Sequence, residues 1–261
     1  MKKNFMYRFL ISVFCLFFGA CVFATNSKPV FVSLSPALTE IMYAIDAQDL
    51  LVGVSTACNY PKEALKKEKI GNTYFINTEK ILKIKPTYIL ALDSSDFALN
   101  KFKKLGITPL CLKYPNIESI YKNILTLGEL TGKQENAQKV INYSKQRIAE
   151  IKTDKPKKIL YLVQTKPMIT VGNKSFLSDV MDKSGNISLT RNINAYYPTV
   201  SEEFCIKQKP DVIVVSPFGD LKRVKQLFPN TKIVMLTKEQ NDIINRPASR
   251  IYKSVEFFAK L

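Results

Sequence analysis

Glu79-Lys-Ile-Leu-Lys-Ile-Lys-Pro86-Thr-Tyr-Ile89-Leu90 and Glu203-Phe-Cys-Ile-Lys-Gln-Lys-Pro210-Asp-Val-Ile213-Val214 are two copies of one pattern, 124 positions apart. The glutamate, two lysines, the proline and the isoleucine coincide without a gap. Each copy reads as a helix followed by a strand. Asn77 or Ser201 opens the helix, because a short polar side chain can accept from the free backbone N–H groups of the first turn. A glutamate in that turn faces the positive end of the helix. Lysines fill the last turn, and proline stops the helix before an apolar strand. The simplest source of the repeat is a protein of two related lobes. In open α/β sheets the helix N-termini lie on the strands' carboxyl side, where ligands bind. Glu79 and Glu203 are therefore expected on one rim, one per lobe.

Working outward, Val30–Leu34 reads as an apolar strand, and Ser35-Pro36 starts a helix with Leu38, Ile41, Met42 and Ile45 at helical spacing. Strands are expected at Leu51–Val54, Tyr88–Ala91 and Thr108–Leu112, and helices at Asp96–Leu105 and Ile117–Leu130. Gly132 interrupts the pattern. From Lys133 to Lys152 an unbroken helical stripe of Ala137, Val140, Ile141, Ser144, Ile148 and Ile151 follows. Beyond it come a strand at Ile159–Gln164, a helix at Phe176–Met181, the second repeat, a strand at Ile233–Leu236 and a closing helix over Arg250–Leu261. Strands alternating with helices predict an α/β fold with mostly parallel sheets. The expected division is 25–131 for the first lobe, 132–154 for the joining helix and 155–261 for the second lobe.

The chain has 261 residues and no histidine, which excludes a Ser-His-Asp triad, a Cys-His dyad, the His-Glu-x-x-His zinc motif and histidine-held haem. Residues 1–24 read as a signal peptide: Lys2, Lys3 and Arg8, an apolar run from Phe9 to Phe18, then Val22-Phe-Ala24 as a cleavage site. Two alternatives stand beside it. Phe18-Gly-Ala-Cys21 is similar to a lipoprotein cleavage box, which would tether the protein through Cys21. The uncharged run from Phe9 to Ser27 is also close to spanning length. The three mature cysteines, Cys58, Cys111 and Cys205, have no ligand spacing and read as unpaired thiols. Of the net charge of +17, the leader holds three cations and no acid. The remaining lysines are scattered along helix faces, with no basic arm and no nucleic-acid motif, so no nucleic-acid partner is expected.

Several loops follow strands on the expected ligand side. Gly53-Val-Ser-Thr-Ala-Cys58-Asn-Tyr-Pro61 offers a thiol, an amide and a phenol. Gly71-Asn-Thr-Tyr74-Phe75-Ile76 precedes the first repeat helix, and Tyr196-Tyr197-Pro-Thr-Val200 precedes the second. Aromatic pairs on facing rims suit a large flat ligand. Asp242-Ile-Ile-Asn-Arg246-Pro-Ala-Ser-Arg250 reads as a polar loop opening the last helix. Catalytic motifs are thin: Ser119-Ile-Tyr-Lys122 lacks companion motifs, and Thr170-Val-Gly-Asn-Lys-Ser175 lacks the first glycine of a phosphate loop.

Together, Ser35-Pro-Ala-Leu-Thr-Glu40, Cys58-Asn-Tyr-Pro61, Asn77-Thr-Glu79 with Lys85-Pro86, Leu105-Gly-Ile107, Tyr197-Pro-Thr-Val-Ser-Glu-Glu203 with Lys209-Pro210, and Arg246-Pro-Ala-Ser-Arg250 carry a resemblance. Over essentially the whole mature chain the sequence resembles the periplasmic binding proteins of cobalamin and ferric-siderophore ABC importers, the helical-backbone class. The resemblance implies an α/β fold of two Rossmann-like lobes with mostly parallel sheets, joined by one long α-helix. It implies a non-enzymatic, monomeric, exported protein with no cofactor of its own, carrying a small molecule between its lobes to a membrane permease. The Cys58 loop, the Tyr197-Pro segment and Asp242 with Arg246 are most similar to cobalamin binders. Ala57, Thr73 and Leu92 stand where those carry rings, so haem and ferric siderophores remain alternatives, while a free metal ion is disfavoured by the lack of histidine. The expected ligand contacts are Cys58, Tyr74, Phe75, Tyr196, Tyr197, Asp242 and Arg246, on segments that end strands or open helices on one rim. Glu79 and Glu203 are the carried-over permease contacts.

Overall fold

The computed structural model describes residues 28–72, 75–92, 96–153 and 155–261. The expected leader with Cys21, and Thr73 and Tyr74, lie outside the described residues.

The first sheet holds β1 (Phe31–Ser33), β2 (Leu51–Val54), β3 (Glu68–Lys69), β4 (Tyr88–Leu92) and β5 (Thr108–Leu112). Its order is β3-β2-β1-β4-β5 and every pair is parallel. Helices α1 (Pro36–Ala44), α2 (Thr78–Ile84) and α3 (Asp96–Lys103) connect these strands. Two helices follow, α4 (Ile117–Thr131) and α5 (Gln134–Ala149), packed on each other. The second half contains β6 (Lys158–Thr165), β7 (Met168–Thr170), α6 (Phe176–Lys183), β8 (Ile187–Ser188), α7 (Glu202–Lys207), β9 (Val212–Val215), α8 (Leu221–Leu227), β10 (Lys232–Met235), α9 (Lys238–Ile244) and α10 (Ile251–Ala259). Its sheet runs β10-β9-β6-β7, with β8 also on β6, and only β7 is antiparallel.

The repeat is structural. Tyr88 pairs with Thr108 across β4 and β5, and Val212 pairs with Lys232 across β9 and β10, at the same separation as the sequence copies. The helix caps coincide as well. The Asn77 side chain accepts from the Lys80 N–H, and the Ser201 hydroxyl accepts from the Phe204 N–H. Both helices stop in the same way. Lys85 has φ of 50° and Lys209 has φ of 52°, so each lysine turns the chain left-handed just before its proline.

Successive residues of the repeat strands serve different layers, as the period of two requires. Ile89 and Ala91 pack on the outer side of the first sheet with Val32, Ile81 and Phe102. Ile213 and Val215 do the same for the second sheet with Leu160, Cys205 and Val224. Leu90, Val212 and Val214 face the other way, into one continuous core that also takes in Phe31, Leu38, Ile120, Ile141, Phe176 and Phe258. That core joins the two sheets through α1, α4, α5, α6 and α10. The Arg147 guanidinium donates to Glu256 at 2.6 Å, fastening α5 to α10.

The structure departs from the sequence expectations in two places. α5 has 16 residues, about 24 Å at the usual rise, where an unbroken helix from Lys133 to Lys152 was expected. It ends at the Glu150 cap, where the Ile151 N–H turns back to the Ile148 carbonyl. The stretch from Asp242 to Arg250 is not a simple loop. Asp242 lies inside α9, whose cap is a reciprocal pair between Thr237 and Gln240.

Candidate functional site

Both rims are built by a glycine that lets two backbone segments meet. In the first lobe Gly71 has φ of +94°, and a Cβ there would lie 2.1 Å from the Phe75 carbonyl oxygen. The resulting turn is closed by Asn72, whose N–H donates to the Phe75 carbonyl and whose side chain accepts from the Phe75 N–H. Phe75 is left 80 % exposed at the start of α2.

In the second lobe Gly172 plays the corresponding part. A Cβ on it would meet the Ala195 carbonyl oxygen at 2.2 Å and that of Ile193 at 2.7 Å. The 193–199 segment therefore lies directly along the extension of β7. The Gly172 N–H donates to Tyr196, that of Lys174 to Ala195, and that of Thr170 to Pro198. Tyr196 and Tyr197 are both exposed on this tightly held loop. Part of the Tyr197 side chain is open to solvent, but its packed side desolvates the phenol and pushes it above its ordinary value, and a hydrogen bond with Ser175 opposes the rise. Tyr197 also acts electrostatically on Tyr161, whose hydroxyl bonds Asn245, the neighbour of Arg246.

Across the seam between the lobes lies a compact ionic knot. Glu40, on α1, is buried. It accepts from Arg246 at 2.7 Å and from two nitrogens of Arg250 at 2.9 Å each. Arg246 also donates to the Asn59 side-chain oxygen at 2.8 Å and pairs with Asp242 at 3.0 Å. Asn59 in turn donates to Asp242 at 2.8 Å. The Arg250 guanidinium lies 3.6 Å above the Tyr60 ring centroid. Burial pushes the Glu40 carboxyl up, and the two arginines offset this only in part.

This arrangement changes the expected roles of three residues. Cys58 is not on the exposed face of its loop. It is in the shared core with its sulfur 3.2 Å from the Thr39 hydroxyl, because the loop turns its small apolar side chain inward and its polar neighbours outward. Arg246 is committed to Glu40 and Asn59, with little surface left for a ligand. Asp242 keeps the more accessible face of that pair. The sequence offers Asn59 and Tyr60 only as the amide and phenol of a candidate pocket loop, and Glu40 and Arg250 only as the ends of two motifs; the contact among them is not anticipated. The available signal was an acid on the side of α1 opposite the Leu38, Ile41 and Met42 stripe, beside Ala37, Tyr43 and Ala44, in a helix with few polar residues where a buried charge persists only when paired.

A family profile described as periplasmic binding protein matches residues 31–238. The chain belongs to that family. The vitamin B12-binding protein of Vibrio parahaemolyticus is 29 % identical over 251 residues, covering 92 % of this chain and 91 % of that one. The solved periplasmic vitamin B12-binding protein of Vibrio cholerae superposes with a TM-score of 0.74 at 29 % identity, covering 89 % of this chain and 95 % of the other. A periplasmic haem-binding protein of the same organism shares the fold, with a TM-score of 0.76 at 20 % identity over 90 % of this chain and 98 % of the other. Like its relatives, this periplasmic binding protein is a two-lobed α/β solute-binding protein of the ABC importer class and not an enzyme.

Within that fold Glu79 and Glu203 occupy the first turns of α2 and α7, and both are exposed. The Glu203 carboxyl is held below its usual value by its own N–H and by Ser201. Its neighbour Glu202 is bound by Arg223, so the two adjacent acids are not equivalent. A hollow of about 390 Å³ lies away from these rims, lined by Asn116, Ile117, Tyr121, Lys145, Ile148 and Lys183. It contains none of the rim aromatics.

Proposed function

We propose that the protein is exported, captures a bulky metal-containing cofactor between its lobes, cobalamin first, and presents it to an ABC permease through Glu79 and Glu203. The observation that carries this reading is the set of aromatic side chains left bare on both rims: Phe75 in one lobe, Tyr196 and Tyr197 in the other. Solvent-exposed rings on backbone this firmly held suit stacking and apolar burial of a large flat ligand. Tyr74 joins them by its place in the same loop. Asp242 supplies a polar contact, and Arg246 orients it through their ion pair. The similarity to vitamin B12-binding proteins over most of the chain supports cobalamin among the candidates.

Haem is the second reading, favoured by two adjacent phenols on one rim, since tyrosine oxygen can hold haem iron. The raised Tyr197 phenol opposes the deprotonation such a bond requires. Export by cleavage after Ala24 and a monomeric state complete the proposal, with lipid attachment at Cys21 as the alternative that intact mass would reveal. The decisive measurement is mass spectrometry of natively purified protein together with calorimetric titration of cyanocobalamin and haemin. A bound corrinoid and saturable cyanocobalamin binding are expected. Binding of haemin alone would assign the second reading, and binding of neither would end both.

A further inference from the structure

The chain leaves β6 toward β7, α6 and β8 on one side of the sheet, then returns through α7 to β9 on the other side. The direction of travel therefore reverses between β6 and β9. In open α/β sheets the crevice outside the strand carboxyl ends at such a reversal is where ligands sit. Thr165 ends β6 there and Val215 ends β9, so the turn Ser216-Pro217-Phe218-Gly219 begins at that point.

This turn is rigidly held. The Ser216 N–H donates to the Leu162 carbonyl and the Gly219 N–H to the Ser216 carbonyl, both at 3.0 Å. The Asp220 N–H donates to the Thr165 hydroxyl at 2.7 Å, and the Asp220 side chain accepts from the Arg223 N–H. On this fixed support Phe218 is 80 % exposed. Among the described residues only Phe75, on the opposite lobe, leaves as much large apolar side chain bare. Two positions earlier, Ser216 is 4 % exposed and its hydroxyl has no hydrogen-bond partner among the described residues. A buried hydroxyl without a partner is costly, and so is a phenylalanine fixed in water.

We propose that Phe218 is a further ligand contact of the second lobe. This rests on the interlobe cofactor reading given above and extends it to the reversal point of the second sheet. Its exposed ring fits a macrocycle with a broad apolar face, a chemistry that cobalamin and haem share.

The test is calorimetry of the full protein with cyanocobalamin and, separately, haemin, on the wild type and on Phe218→Ala, Ser216→Ala and Tyr197→Ala. Phe218 makes little internal packing, so Phe218→Ala should melt like the wild type. The proposal expects it to weaken binding of the accepted probe about ten- to hundredfold, the range for burying one large apolar side chain. Ser216→Ala, which removes an enclosed hydroxyl of the same turn, is the control and should leave affinity within about twofold of wild type. Unchanged affinity in Phe218→Ala while Tyr197→Ala loses affinity would overturn this proposal alone and leave the interlobe reading standing. Unchanged affinity with impaired transport would also overturn it, moving Phe218 to the permease surface. A wild-type protein that binds neither probe would overturn both together.

Discussion

Glu40 illustrates how one side chain can tie distant parts of a chain. Its partners Arg246 and Arg250 are more than two hundred positions away and belong to the other lobe. Removing one member of a buried ion pair leaves an uncompensated charge, which typically costs about 3–5 kcal/mol. Glu40→Ala should therefore lower the stability of ligand-free protein by about that amount in thermal or denaturant unfolding. Arg246→Ala should also lower it, whether or not ligand is present. A melting temperature unchanged in Arg246→Ala without ligand would return that arginine to a purely ligand-binding role. Sequence reading reached Arg246 but not this use of it. The partner lies in an apolar helix, and nothing local records a contact between the chain's two ends.

At the scale of elements, the repeat made much of the architecture legible. The apolar runs at Leu51–Val54 and Thr108–Leu112 became strands with the expected boundaries. The proline after each repeat helix marked its end, although the residue that turns the chain is the lysine before it. The short strands β3, β7 and β8, of two or three residues, carried no readable alternation and are fixed by neighbouring strands. Tyr196 and Tyr197 were recognisable as a rim loop, but its support was not, because Gly172 lies more than twenty positions earlier. Gly172→Ala places a methyl against two carbonyl oxygens, so the loop must shift. A loss of about 1–3 kcal/mol in unfolding is expected, as for overpacking a close contact. Weaker ligand binding than in wild type should accompany it. Full affinity in this variant would show that the loop's placement does not matter for capture.

For the whole molecule, the proposed docking rests on two exposed glutamates at equivalent helix starts, one in each lobe. Such contacts guide encounter and orientation and weaken as salt screens them over about 8 Å at physiological strength. The double variant Glu79→Lys with Glu203→Lys should abolish stimulation of the transporter while leaving ligand affinity within about twofold of wild type, because both carboxylates are exposed and neither is among the proposed ligand contacts. Normal stimulation would remove these residues from docking, and lost affinity in a folded variant would reassign them to the ligand.

The unbroken core between the two sheets also bears on how such a carrier can report that it is loaded. A wide hinge needs a plane of weak contact, and here Phe31, Ile141, Phe176 and Phe258 fill that plane with shared packing, reinforced by Glu40 and its arginines. Loaded and empty forms would then have almost the same outline. The difference presented to a receptor would lie in which rings are still bare at the mouth and which have been covered by cargo. Recognition would become a matter of surface chemistry read at one edge, and discrimination between the two forms would be won or lost on a few square nanometres.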